Sequence, residues 1–233
     1  MALNGTSTLI AQKQILEEGE VEISQRKYNM IIGGMLMWGF LLNYVTVAAF
    51  GQQVVNMVIG MNPMVFLLLY LGLCIGGNVL ITVGGPGLSF LGFNLIAVPI
   101  GMVLCIALSD VPPDIIQNAV LLTAMITLSF MLAATVFPEF FLRIGRVLLF
   151  SLIILIVGEV IFAVFFSSSP LVFEWLGAGI FSLYIGYDWA RANACVRTVD
   201  NAIDISAGIY LDIVNLFLPI VRILAKSRSS SRR

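Results

Sequence analysis

Histidine is absent from this 233-residue sequence, and charged residues make up only 11% of it. Without imidazole groups, the chain cannot build a histidine-based zinc site, a serine-protease triad or an imidazole proton relay. The three cysteines, Cys74, Cys105 and Cys195, lie far apart and lack the spacing of a metal cluster or a disulfide framework, which predicts buried packing thiols. The formal net charge of −1 gives no electrostatic footprint for nucleic acid, so no nucleic-acid partner is expected.

Hydrophobic residues, by contrast, make up 60% of the chain, and its mean hydropathy is +1.03. Ordinary soluble domains are about 45–50% apolar and about 25% charged. The composition therefore predicts an integral membrane protein whose main partner is the lipid bilayer. Residues 1–28 are polar and lack the apolar core and cleavage site of a signal peptide, so we expect them to form a cytoplasmic amino-terminal tail.

Seven apolar stretches are long enough to cross a bilayer as helices, because a helical span needs about 20 mostly apolar residues. They predict an all-α integral membrane protein with a seven-segment membrane domain at 29–224 and a basic carboxyl-terminal tail at 225–233. The stretches are continuous and do not alternate in polarity, which favours helices over a β-barrel. The predicted spans are 29–50, 64–83, 88–108, 116–136, 147–166, 171–190 and 204–224.

Basic residues predict the orientation of these spans, since cytoplasmic connections carry an excess of Lys and Arg. They occur before the first span and after the fourth and sixth spans, at Arg26, Lys27, Arg143, Arg146, Arg191 and Arg197. The amino terminus and the even-numbered connections are therefore expected to be cytoplasmic. Seven full crossings would place the basic tail outside, so either this tail is external or the last segment is re-entrant. Short tails without a retention signal predict a multi-pass protein of a bacterial plasma membrane.

Two carboxylates lie within the last two spans: Asp188 ends the sixth, and Asp212 lies in the middle of the seventh. An Asp at a helix centre costs roughly 2.5–3.5 kcal/mol on insertion scales, which makes it a candidate functional residue. Asp212 lies eight residues past Asp204, or about 12 Å inward from the same side, so a modest tilt would bring it to Asp188. Two carboxylates in one site tend to share a proton, which predicts a pH sensor. Alternatively, Asp188 pairs only with Arg191, three residues later.

Further polar groups accompany this pair. Asn215 shares a helix face with Asp212, and Pro219 cannot donate a hydrogen bond to the Asn215 carbonyl. Such oxygen-rich surroundings suit a hard cation, which makes Asp188 and Asp212 candidate calcium ligands; the alternative is a kinked helix whose polar groups bond within the bundle. Glu159, in the fifth span, either lines a water-filled path or is a protonated acid bonded to a neighbouring helix. No resident cofactor is expected.

The last two spans resemble the transmembrane Bax-inhibitor-motif family, and the chain looks like a bacterial member of it. The similarity rests on Phe-Ser-Leu-Tyr-Ile-Gly-Tyr-Asp at 181–188 and on Ile-Tyr-Leu-Asp-Ile-Val-Asn-Leu-Phe-Leu-Pro-Ile-Val-Arg-Ile-Leu at 209–224. The resemblance implies a seven-helix bundle with the last helix central. It also implies a pH-sensitive calcium leak channel gated by two aspartates, which map onto Asp188 and Asp212. Some members also carry an acid and an arginine in the second span, whereas 64–83 has no charge.

Other functions remain open at this stage. The same acids would serve a proton-coupled ion transporter, with calcium ions and protons as its substrates. Family members are also linked to cell death, so a non-conducting regulator of membrane proteolysis or cell death, with membrane protein partners, is a further alternative. An intramembrane aspartyl protease would need Gly-x-Gly-Asp at its second aspartate, where this chain has Tyr210-Leu211-Asp212. The sequence therefore predicts that the chain is not an enzyme.

Overall fold

Helices account for nearly all of the backbone that the structure describes. The computed structural model of the chain describes residues 21–166 and 170–231, and this part contains seven α-helices and no strand. Six of them are long and apolar enough to cross a membrane. These findings confirm the predicted all-α, seven-helix membrane architecture. The helices are α1 (Gln25–Ile59), α2 (Pro63–Val83), α3 (Pro86–Leu108), α4 (Pro113–Val136), α5 (Pro138–Phe166), α6 (Leu171–Ala194) and α7 (Val199–Ser231).

Proline opens four of these helices, at Pro63, Pro86, Pro113 and Pro138. Its missing N–H would have no partner in the first helical turn, and its fixed φ suits the first helical position. The helices can therefore restart directly after short turns. Between α2 and α3, Gly84 and Gly85 both have φ of +93°, which glycine alone adopts at little cost. This explains how two long helices reverse within two residues.

The helices extend beyond the predicted apolar stretches. The fifth span was expected to begin at residue 147, but α5 begins at Pro138, and only Phe137 separates it from α4. Arg143 therefore lies inside α5, where it pairs with Glu139 at 3.0 Å. Arg191 likewise lies in the last turn of α6, whereas Arg197 lies in the connection to α7 as predicted. Hydropathy detects only residues that suit the hydrocarbon core, so it misses helical turns that carry charges.

The last helix is unbroken from Val199 to Ser231, although Pro219 lies inside it. Its 33 residues span about 50 Å, more than the roughly 30 Å of a hydrocarbon core. An unbroken helix of this length contains no reversal, which favours the alternative of a full crossing. At its far end, Arg228 forms an ion pair with Asp114, in the first turn of α4. Residues 225–231, expected as a tail, continue the helix.

The chain folds as two compact units. The first comprises the residues up to 110 together with 194–208, and its core includes the fully buried side chains of Phe93 and Ile96. There, Gly77 of α2 and Gly92 of α3 let two backbones approach closely, since a Cβ at Gly77 would lie 2.6 Å from the Gly92 carbonyl oxygen.

The second unit comprises 111–193 and 209 onwards. In it, Ala134, Phe141 and Ala190 form a buried apolar cluster. Gly145 is covered by the ring of Tyr187, whose Cε2 atom lies 2.6 Å from the position of a Cβ. The predicted amino-terminal tail lies mostly outside the described residues, at 1–20.

Burial differs strongly among the helices. In α7, 61% of the apolar span is buried, and in α3 56%, against 11–22% for α1, α2, α4 and α5. The high burial of α7 explains why it can carry several polar side chains, and its central position in the bundle stays a prediction. Of the cysteines, all free, Cys105 and Cys195 are buried as predicted, whereas Cys74 is only half-buried.

Candidate functional site

One face of α6 carries an acid at each end. Glu174, Gly177, Phe181, Tyr184 and Asp188 recur at intervals of three and four residues, which places them on one side of the helix. Glu174 lies in the first turn of α6, and Asp188 follows it by 14 residues, or about 21 Å. The acids therefore lie at opposite ends of this face.

A matching face runs along the part of α7 that belongs to the second unit. Asp212, Asn215, Pro219 and Arg222 again recur at intervals of three and four. Contacts align the two faces in antiparallel order. Gly177 lies against Pro219, whose Cγ would be 3.5 Å from a Cβ at the glycine, and Arg222 contacts Glu174. We call this arrangement the α6–α7 seam.

Asp188 and Asp212 come together at one end of the seam. Each is 8% exposed, and the carboxylate of Asp212 interacts electrostatically with Asp188 and with Arg191. Arg191 Nη1 also donates to Asp188 Oδ1 at 3.0 Å. Asp188 therefore pairs with Arg191, as one interpretation predicted, and it also lies within electrostatic range of Asp212. We call these three residues the aspartate cluster.

The aspartate cluster contains a buried oxygen that is free to accept a hydrogen bond. Within the described residues, Oδ2 of Asp212 is fully buried and has no hydrogen-bond partner. Buried polar atoms are nearly always paired, so this oxygen is available to accept a hydrogen bond from a proton on Asp188 or a water, or to bind an ion. The hydroxyl of Tyr184 also interacts electrostatically with both aspartates. Sequence reasoning missed Tyr184, although its position one turn before Asp188 on the same face was a usable signal.

Charge in the aspartate cluster depends on one proton. If both carboxylates are ionised, the single guanidinium of Arg191 leaves a net charge of −1. If they share one proton, the cluster is neutral. The guanidinium carbon of Arg191 lies over the ring of Tyr187, 5.6 Å from the ring centroid, which is a cation–π contact. The position of the Arg191 guanidinium is thus set by two neighbours, the ring of Tyr187 and the carboxylate of Asp188.

Asn215 is half-buried, one turn along α7 from Asp212. Pro219 occupies an interior position of α7 and has no N–H, so the Asn215 carbonyl lacks its α-helical donor. The oxygen atoms predicted from the sequence thus lie along one helix face. Among the residues that the structure describes, no three acidic or thiol side chains gather closely enough to chelate a metal.

Glu159 lies with a different set of charges. It interacts electrostatically with Glu174 and Arg222, at the end of the seam opposite Asp188. We call Glu159, Glu174 and Arg222 the glutamate cluster. Sequence reasoning did not single out Glu174, which lies in the first turn of α6. The spacing from Glu174 to Asp188 would have placed it on the same face.

These features define a multi-pass α-helical membrane protein with ionisable groups inside its helical bundle. Residues 23–229 match the family described as "Inhibitor of apoptosis-promoting Bax1". The match spans nearly the whole chain, so the chain belongs to this Bax inhibitor family, as the motifs of the last two spans indicated. A comparison with curated proteins finds no match.

Proposed function

We propose that the chain is a pH-sensitive calcium leak channel gated by Asp188 and Asp212. The observation that carries this proposal is the buried aspartate cluster, in which Asp212 Oδ2 has no hydrogen-bond partner among the described residues. Ionisable groups inside a membrane protein are costly, and they commonly mark the path of an ion or a proton.

In this proposal, a shared proton closes the channel. A hydrogen bond between a carboxyl and a carboxylate is roughly twice as strong as a neutral one, so it would hold α6 and α7 together at Asp188 and Asp212. When the proton leaves, two like charges face each other and Arg191 offsets only one of them. The helices then part at this end, and a cation takes the place of the proton.

The small number of ligands suits a leak. Ca²⁺ usually takes six to eight oxygen ligands, so two carboxylates and a nearby carbonyl would hold it weakly. Weak binding favours conduction, because an ion that enters must also be released. The proposed path follows the polar face of α7 from Asp212 past Asn215.

Calcium flux into liposomes that contain the purified protein, measured against pH, tests the proposal. We expect flux of the native protein to rise as the pH increases from mildly acidic to alkaline, and Asp212→Asn to flatten that response. Asp110→Asn removes the same charge from an exposed turn outside the site and serves as the matched control. A native-like pH response in Asp212→Asn would refute gating by the pair.

A proton-coupled ion transporter is the second candidate, since a cluster that exchanges a proton for a cation could couple the two. Proton movement measured in the same liposomes distinguishes it from a channel. A fixed ratio of protons moved out per calcium ion moved in would support the transporter. Calcium flux without stoichiometric proton movement would support the channel.

A further inference from the structure

The glutamate cluster ties two helices together. Arg222 Nη1 on α7 donates to both carboxylate oxygens of Glu174 on α6, at 3.2 and 3.3 Å. The side chain of Glu174 is only 10% exposed, whereas that of Arg222 is 55% exposed. A buried acid is thus held by an arginine that reaches it from a more open position. Glu159 on α5 adds a second carboxyl group within electrostatic range of both.

This cluster lies at a second level of the α6–α7 seam. Along α7, Arg222 lies ten residues, or about 15 Å, beyond Asp212. That separation is about half the thickness of a hydrocarbon core. Each level contains two carboxylates and one arginine. An ion that follows the polar face of α7 from one level would therefore meet the other.

Arg191 and Arg222 form different kinds of ion pair, one within a helix and one between two helices. Arg191 and Asp188 lie on the same helix, three residues apart, so their ion pair does not connect α6 to α7. Arg222 and Glu174 lie on different helices, and their ion pair does. A guanidinium group stays protonated at all physiological pH values, so this connection does not depend on the proton that controls the aspartates.

We propose that the Arg222–Glu174 ion pair is a second gate in series with the aspartate cluster, and that Arg222 limits the rate of cation passage. This inference rests on the proposed function. The guanidinium occupies the position that a permeating cation would take beside Glu174 and Glu159, and it repels that cation. Pro219 lies between the two levels, where α7 can bend, so that the Arg222 end moves while the Asp212 end stays in place.

Arg222→Gln tests the second gate. Calcium flux should rise several-fold over the native protein at every pH, while the pH at which flux is half-maximal should not move, because Asp188 and Asp212 are unchanged. Arg143→Gln is the matched control, since Arg143 is 80% exposed and pairs with an acid of its own helix. Arg222→Lys keeps the charge but loses the two-oxygen contact, and it should give an intermediate flux.

The distance between α6 and α7 provides a second test. It does not require ion conduction, and it shows whether the variant is folded. Spin labels at the exposed positions 172 on α6 and 226 on α7 report the end of the seam near Glu174. Their separation should increase in Arg222→Gln and remain native in Arg143→Gln. A native separation, or flux at or below the native level in folded Arg222→Gln, would overturn the second gate. If Asp212→Asn still flattened the pH response in that case, the proposed function would stand without it; if the native protein carried no calcium, both would fail.

Discussion

Replacing Gly77 with alanine tests how closely α2 and α3 approach each other in the first unit. A Cβ atom at Gly77 would lie 2.6 Å from the carbonyl oxygen of Gly92 and 2.7 Å from Cγ1 of Ile96. Nonbonded carbon atoms rest about 3.5–4.0 Å apart. Because one of the two neighbours is a backbone atom, a change of rotamer cannot relieve the contact. The two helices would have to separate.

The expected cost follows from two opposing terms. An extra methyl group in a well-packed contact typically costs about 1–3 kcal/mol. Replacing glycine with alanine inside a helix otherwise stabilises it by up to about 1 kcal/mol. Gly76 offers a matched control, since a Cβ at Gly76 would have no atom within 4 Å. Gly76→Ala therefore has the higher helix propensity of alanine without the steric clash. The free energies of unfolding of the two variants should differ by about 1–3 kcal/mol.

Thermal unfolding in detergent, followed by circular dichroism, measures this difference. For a chain of this size, each kcal/mol shifts Tm by about 2–4 °C, so Gly77→Ala should melt about 2–12 °C below Gly76→Ala. Gly92→Ala should behave like Gly77→Ala, because its Cβ would lie 2.5 Å from the Gly77 carbonyl oxygen. Equal melting temperatures for Gly76→Ala and Gly77→Ala would refute close contact between α2 and α3 at this point.

Two further predictions concern orientation and gating. Single cysteines at positions 143 and 197, in a background without the native cysteines, should react with an impermeant thiol reagent only after the cells are opened; labelling of intact cells would reverse the orientation. Spin labels on α6 and α7 near the aspartate cluster should move apart as the pH rises, and Asp188→Asn and Asp212→Asn should each abolish that transition. An unchanged transition in both variants would show that the two carboxylates do not act together.

The number of helices could be predicted from the sequence because each has a long apolar run, but their ends could not. At the start of α5, Pro138 sets the first helical position, and Glu139 pairs with Arg143 four residues later. The proline at the helix start and the ion pair both favour a helix, but neither makes the segment more apolar. A search for apolar stretches therefore misses these turns. The same reason applies to Arg191, which extends α6 past its apolar run.

The candidate site was predictable to the extent that it depends on two adjacent helices. Asp188 and Asp212 lie on consecutive spans, and simple helical rise placed them at a similar depth. Glu159 was harder, because its neighbours depend on how α5 packs against α6 and α7, which no local spacing encodes. In the structure, Glu159 interacts with Glu174 and Arg222. It therefore lies at the end of the seam opposite the two aspartates.

The geometry of the seam also bears on how a leak can stay small. In the proposed channel, protons control one level through Asp188 and Asp212, while a fixed ion pair controls the other through Glu174 and Arg222. A cation passes only when both levels are open, so the conducting fraction is the product of two probabilities if the levels act independently. Loss of the proton would then raise the flux but not abolish the barrier at Arg222. Independent levels also mean that the effects of Asp212→Asn and Arg222→Gln on the logarithm of the flux should add, as expected for sites about 15 Å apart along one helix.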